Sequence, residues 1–205
     1  MSLFRSLLEK PWKHTASSLP AENDFGSATT PPQKVALMFF LAVVTVMFGL
    51  FITAYFVRME LDDWRPMPES QLLWLNTALL FLSSFTLQWT HNVLKKGLDG
   101  KFKIGLILGA LLTFAFVYGQ ITVWGQMQEA GYFLYNNPAN AFFYVLTGIH
   151  AIHILGGLFV WTKTIVKYWS GAKHEELELS TELCALYWHF LLLVWLVLFA
   201  LVSYT

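Results

Sequence analysis

Charged residues are scarce in this chain. Only 13% of the 205 residues are charged and 56% are hydrophobic, whereas a soluble domain has about a quarter charged residues. A large protein whose surface faces water needs more charge than this, so the composition indicates a surface that faces lipid. The formal net charge is zero, which argues against nucleic acid as a partner, because nucleic-acid binding needs a basic surface.

Cysteine is almost absent, since Cys184 is the only one. An internal disulfide and a cysteine-based metal site are therefore excluded, and we expect Cys184 to be a small buried hydrophobe. Met1–Lys10 lacks the apolar core of a signal peptide. The polar composition of residues 1–34 predicts a flexible tail.

The rest of the chain, residues 35–205, contains five long apolar runs. Each is long enough, at about 17–25 residues, to cross a bilayer as a helix, and helix is favoured because hydrocarbon cannot satisfy backbone amides. The predicted fold is all-α, a polytopic bundle of five transmembrane helices with short connections. The predicted spans are Val35–Val57, Leu72–Trp89, Ile104–Trp124, Ala141–Val166 and Leu183–Tyr204.

Basic residues are distributed unevenly between the two sides that five spans define. The tail, the second loop and the fourth loop share one side, and eleven of the 13 Lys and Arg residues lie in these segments or at the adjoining helix ends. The other side has only Arg58 and Arg65. Basic loops stay in the cytoplasm. We therefore expect the N-terminus in the cytoplasm and the C-terminus in the periplasm of a bacterial inner membrane.

Polar side chains inside the second run recur at helical spacing. Asn76 and Ser83 are seven residues apart, as are Thr77 and Ser84, so each pair shares a helix face. Small polar groups of this kind favour helix–helix packing in membranes.

Three histidines fall within the later spans. His150 and His153 are three residues apart, and we expect them to share one helix face. Gly157 follows on that face with Gly156 beside it, so another backbone could approach there. His189 lies in the last span. Ionisable residues at membrane depth suggest a functional role. A metal site needs further ligands, and only His189 and Glu182 could supply them. A membrane cytochrome with two haems would need four axial histidines, and the predicted spans contain three. We therefore prefer neutral histidines bonded to backbone carbonyls or lipid headgroups.

Four motifs, in order from Lys34 to the C-terminus, resemble subunit III of the haem–copper respiratory oxidases, in its short five-helix bacterial form. They are Phe39–Arg58, then Leu75–His91, then Gln120, Trp124 and Gly131, and finally the double-histidine stretch Thr147–Gly157 with Glu182, Tyr187–Phe190 and Trp195.

The resemblance implies a non-catalytic subunit of a proton-pumping cytochrome c oxidase that reduces oxygen to water. Such a subunit binds catalytic subunit I directly, with subunit II and small subunits nearby. It supports stability and proton uptake of subunit I, protects it during turnover, and holds phospholipid in a cleft. Haem and copper are expected in the partner subunits and none in this chain. The implied structural or lipid-contacting residues are Asn76, His91, His150, His153, Glu182, Trp188 and His189.

Two departures from the family pattern concern carboxylates. Val43 and Val44 stand where many members have a glutamate, and Leu192 stands where many have an aspartate. Proton-handling roles of those acids therefore do not carry over to this chain.

Other functions remain open at this point. A quinol oxidase subunit III and an accessory protein of a nitric-oxide reductase share the expected fold. A transporter is disfavoured, because broken helices and inverted repeats are not evident in the sequence.

Overall fold

A computed structural model describes residues 30–68 and 70–204. Those residues contain five helices, each long and apolar enough to cross a membrane, which confirms the predicted all-helical fold. They are α1 (Pro32–Met59), α2 (Gln71–Lys95), α3 (Asp99–Glu129), α4 (Pro138–Trp169) and α5 (His174–Tyr204). The helix α1 begins within the predicted tail, most of which lies outside the described residues.

Helix ends follow local sequence signals that hydropathy alone does not show. Asn137 caps α4 by accepting a hydrogen bond from the Ala139 amide, with Pro138 in the first turn. Three helices are followed by a glycine with positive φ, namely Gly97, Gly131 and Gly171. This backbone conformation ends a helix at little steric cost only for glycine. The helices extend past the predicted apolar spans by one to nine residues at every end except the C-terminal end of α5.

The helices α2 and α3 pack closely along a row of small residues. A Cβ at Gly105 would lie 2.2 Å from Thr90 Oγ1, and a Cβ at Gly119 would lie 2.1 Å from Asn76 Oδ1. Asn76 donates a hydrogen bond to Gln120 across this interface. Glycine at these positions therefore lets polar groups of two helices meet inside the bilayer.

The helices α4 and α5 complete a four-helix bundle with α2 and α3. Trp195 of α5 donates a hydrogen bond to Thr77 of α2 at 2.9 Å. Trp161 of α4 donates one to the Leu106 carbonyl of α3 at 3.1 Å. These two buried indole N–H groups therefore link neighbouring helices of the bundle by hydrogen bonds.

The helix α1 lies beside this bundle and touches it through side chains alone. No Cα atom of α1 comes within 8 Å of the Cα atoms of another described helix. The contact is a cluster of apolar side chains from α1, α4 and α5: Val44, Phe48, Tyr55, Leu146, Val194, Leu198 and Leu201. The gap between backbones leaves room for a cleft.

The α2–α3 packing gives a first prediction. Gly119→Ala forces the new methyl group into Asn76, so we expect a loss of about 1–3 kcal/mol in stability, the usual cost of overpacking. Gly125→Ala is the matched control on the same helix, because a Cβ there meets nothing within 4 Å. Thermal unfolding in detergent should separate the two variants, and equal melting temperatures would contradict the close packing.

Candidate functional site: a cleft between the first helix and the bundle

A cavity of about 360 Å³ opens between α1 and the pair α4 and α5. Its lining is mostly apolar and comes from all three helices: Gln33, Leu37, Phe40, Gly156, Gly157, Val160, Leu183, Cys184, Tyr187 and Trp188. An apolar cavity within membrane-spanning helices suits an acyl chain.

An ion pair lies at one end of this cleft. Lys34 of α1 donates a hydrogen bond to Glu182 of α5 at 2.6 Å. Each residue directly neighbours a lining residue, Gln33 and Leu183 respectively. The two side chains are one-third or more exposed, so the pair connects α1 to α5 where charge can reach water or lipid headgroups.

Two adjacent glycines of α4 have different surroundings. A Cβ at Gly157 would lie 2.8 Å from the Trp188 ring and 2.9 Å from Tyr187, whereas a Cβ at Gly156 would meet nothing within 4 Å. Gly157 therefore accommodates an aromatic ring, where the sequence had suggested a backbone, and Gly156 leaves open space in the cleft wall.

The two histidines of α4 point to different neighbours, although we expected them to share one face. His153 is half-buried and lies near Phe40 and Phe48 of α1. Its Nδ1 donates a hydrogen bond to the Ile149 carbonyl at 2.8 Å. Its own carbonyl accepts one from Tyr187, so His153 helps to position the cleft wall.

His150 is fully buried in the four-helix bundle. Its ring lies beside Trp195, with the edge of Phe116 nearby, and neither ring nitrogen has a hydrogen-bond partner among the described residues. The structure therefore separates His150 from His153 by placing one inside the bundle and the other against α1.

The remaining predicted residues are spread over the molecule. Asn76 lies in the α2–α3 interface, and His91 lies 3.2 Å from Thr181 at the α2–α5 interface. Trp188 is buried between α4 and α5, against Trp161. His189 is exposed on α5, and its Nδ1 donates to the Ala185 carbonyl at 2.6 Å.

The positions of the two missing carboxylates are filled by apolar packing. Val44 is buried in the cluster that joins α1 to α4 and α5. Leu192 is half-buried against the core of the bundle. Neither position therefore supplies a proton-accepting group.

Charge and metal-binding groups are limited in the part of the chain that the structure describes. No group of three or more His, Cys, Asp or Glu side chains there could hold a metal ion. Arg58, in the last turn of α1, donates a hydrogen bond to Asp63 of the following loop at 2.6 Å and lowers the pKa of that carboxyl. This ion pair is largely exposed and links the end of α1 to its loop, away from the cleft.

The resemblance implied a cleft, but sequence reasoning did not give its position, its lining or the ion pair at its end. Leu37, Phe40 and Val160 are unremarkable apolar residues in long apolar runs, so no local pattern marks them. Lys34 directly precedes the first apolar run, and Glu182 directly precedes the last. These two positions were the only sequence signal that could have predicted the ion pair.

The buried ring of His150 gives a second prediction. An unpartnered buried polar group costs about 1–3 kcal/mol, so His150→Leu, of similar size, should leave stability unchanged or raise it. His91→Leu is the comparison, because it removes a ring that lies within hydrogen-bonding distance of Thr181 and should lower stability. A strong destabilisation by His150→Leu in thermal unfolding would show that the ring has a bonding partner after all.

The family model for cytochrome c oxidase subunit III matches residues 28–205. The chain is 31% identical over 180 residues to cytochrome c oxidase subunit 3 of a Synechocystis strain, covering 81% of this chain and 72% of the relative. It is 27% identical over 180 residues to the Thermostichus vulcanus protein of that name, covering 82% of this chain and 84% of that one. The Loxodonta africana protein of the same name is 27% identical over 196 residues, 87% of this chain and 73% of the relative. The chain therefore belongs to the cytochrome c oxidase subunit III family.

Proposed function

We propose that the chain is the non-catalytic subunit III of a proton-pumping terminal oxidase that takes electrons from cytochrome c and reduces oxygen to water. Family membership and the names of the relatives support the oxidase assignment. The observation that supports a lipid-holding, stabilising role is the apolar cavity of about 360 Å³ between α1 and the bundle.

In this proposal the cleft binds a phospholipid. The acyl chain lies along Leu37, Phe40 and Val160, which line the cavity. The headgroup lies at the end marked by the Lys34–Glu182 pair, where an ammonium and a carboxylate are both accessible. The bound lipid then fills the space between helices whose backbones do not meet.

Haem and copper belong to the partner subunits in this proposal. The chain contacts catalytic subunit I directly, near subunit II and smaller subunits, and supports the stability and proton uptake of subunit I. It lies in the bacterial inner membrane, with the N-terminus in the cytoplasm and the C-terminus in the periplasm, as the uneven distribution of its 13 Lys and Arg residues favours.

Purification tests this assignment. The chain should co-purify in stoichiometric amount with a polytopic subunit that shows haem absorbance and contains copper. Purified alone, it should show no visible absorbance. A stoichiometric haem on the isolated chain, or failure to associate with any oxidase subunit, would contradict the proposed function.

Filling the cleft tests the lipid-binding role. Gly156→Leu places an apolar side chain into the cavity, where a Cβ meets nothing within 4 Å. We expect fewer phospholipid molecules per purified complex, measured as organic phosphorus against protein.

Gly148→Leu is the matched control on the same helix. A Cβ at Gly148 also meets nothing within 4 Å, and Gly148 is not among the cavity-lining residues. Lipid content equal to the wild-type value in both variants would show that the cleft does not retain phospholipid.

A further inference from the structure

The loop between α3 and α4, residues 130–137, turns apolar side chains outward. Phe133, Leu134 and Tyr135 are 39%, 51% and 82% exposed, and the rings of Phe133 and Tyr135 are stacked with their centroids 5.7 Å apart. We call these three residues the aromatic loop. A contiguous exposed apolar group of this kind marks a surface that meets a partner or a membrane.

Charge distinguishes the aromatic loop from the other connections between helices. Residues 130–162 contain no Asp, Glu, Lys or Arg. Leu61 and Leu98 are also exposed in their loops, but Asp62 and Lys96 lie close to them in sequence, and the loop after α4 contains Lys173. Charged side chains keep a loop in water or among headgroups because their burial is costly, and the aromatic loop has no such restriction.

Hydrogen bonds from α4 fix the depth of the aromatic loop. Asn140 donates one to the Phe133 carbonyl at 3.1 Å, and Tyr144 donates one to the Tyr132 carbonyl at 2.9 Å. Both donors lie in the first two turns of α4, which rise about 10 Å along the helix axis. The apolar span predicted from the sequence begins at Ala141, between the two donors. The loop backbone is therefore held beside the point where hydrocarbon is expected to begin.

The carbonyls of this loop are paired within the protein. Asn136 donates a hydrogen bond to the Gly131 carbonyl at 2.9 Å, so the three consecutive carbonyls of residues 131–133 each accept a bond from a side chain. An unpaired carbonyl near hydrocarbon is costly. This pairing lets the loop lie at the bilayer boundary while its apolar side chains face outward.

We propose that the aromatic loop is an interfacial anchor that binds the lipid bilayer at the boundary between headgroups and acyl chains. Phe133 and Leu134 enter the acyl region, and the Tyr135 hydroxyl bonds to phosphate or ester oxygens of the headgroups. Tyrosine suits this depth because its ring is apolar and its hydroxyl is polar. Lipid is the occupant because the hydrogen bonds from α4 hold the loop at the depth of the bilayer boundary.

The anchor also fixes the loop that follows α1. Asn137 accepts a hydrogen bond from the Arg65 amide at 3.4 Å and donates one to the Arg65 carbonyl. These two loops are therefore joined, so anchoring one sets the height of the other at the membrane surface. The inference requires only a bilayer and does not depend on the proposed function.

Spin-label accessibility in the full chain tests the depth of the anchor. Cys184→Ala removes the native thiol, and nitroxide labels are attached through Leu134→Cys or, as the matched control in the exposed part of the α1–α2 loop, Asp62→Cys. The protein is reconstituted in phosphatidylcholine vesicles. We expect molecular oxygen, which concentrates among acyl chains, to relax the label at position 134 more than a water-soluble nickel chelate does, with the reverse at position 62. Greater access of the nickel chelate at position 134 would overturn the inference.

Photo-cross-linking in native membranes, with all partners of the chain present, tests which molecule covers the loop. p-Benzoylphenylalanine replaces Tyr135 in one variant and Asp62 in the control, and Cys184 is left in place. Irradiation should give a lipid adduct at position 135, identified by mass spectrometry, and none at position 62. A product that joins position 135 to another polypeptide, or the absence of any lipid adduct there, would contradict a lipid-bound anchor.

Discussion

Hydrocarbon offers no hydrogen-bond partner, and this constraint accounts for most of the internal arrangement. Asn76 meets Gln120, and Trp195 and Trp161 donate to groups on neighbouring helices. Each of these bonds requires two helices to lie close together, and Gly119 permits the Asn76 contact. Polar residues therefore fix which faces of α2 to α5 meet, while the apolar residues between them fill the core.

The same constraint explains why α1 behaves differently. It contributes apolar side chains to its contact with the bundle and a single ion pair, Lys34–Glu182, at its first turn. Thr45 and Thr53 of α1 bond to carbonyls of their own helix, and a Cβ at Gly49 would meet nothing within 4 Å. These residues therefore do not draw the backbones together, and a cavity remains between α1 and the bundle. The cleft beside α1 and the close packing of α2 to α5 thus follow from one difference in sequence.

Much of the fold could be predicted from the sequence, because each helix is an apolar run of membrane length. Packing of α2 through Asn76 and Ser83 could also be predicted, since these two residues are seven apart and share one helix face. In the structure both lie against α3. The separation of His150 from His153 could not, because residues three apart differ by about 60° around a helix and their neighbours come from distant segments. The resemblance implied a cleft, but its position and lining could not be predicted, since they depend on how far α1 stands from the bundle.

We propose that this chain supports a catalytic neighbour and performs no chemistry itself. The most direct test is to purify the oxidase with and without the chain and follow oxygen consumption through to inactivation. We expect the initial rate per haem to stay near that of the intact complex, while the total number of turnovers before inactivation falls sharply without the chain. An initial rate near zero in an otherwise intact complex that lacks this chain would contradict the supporting role.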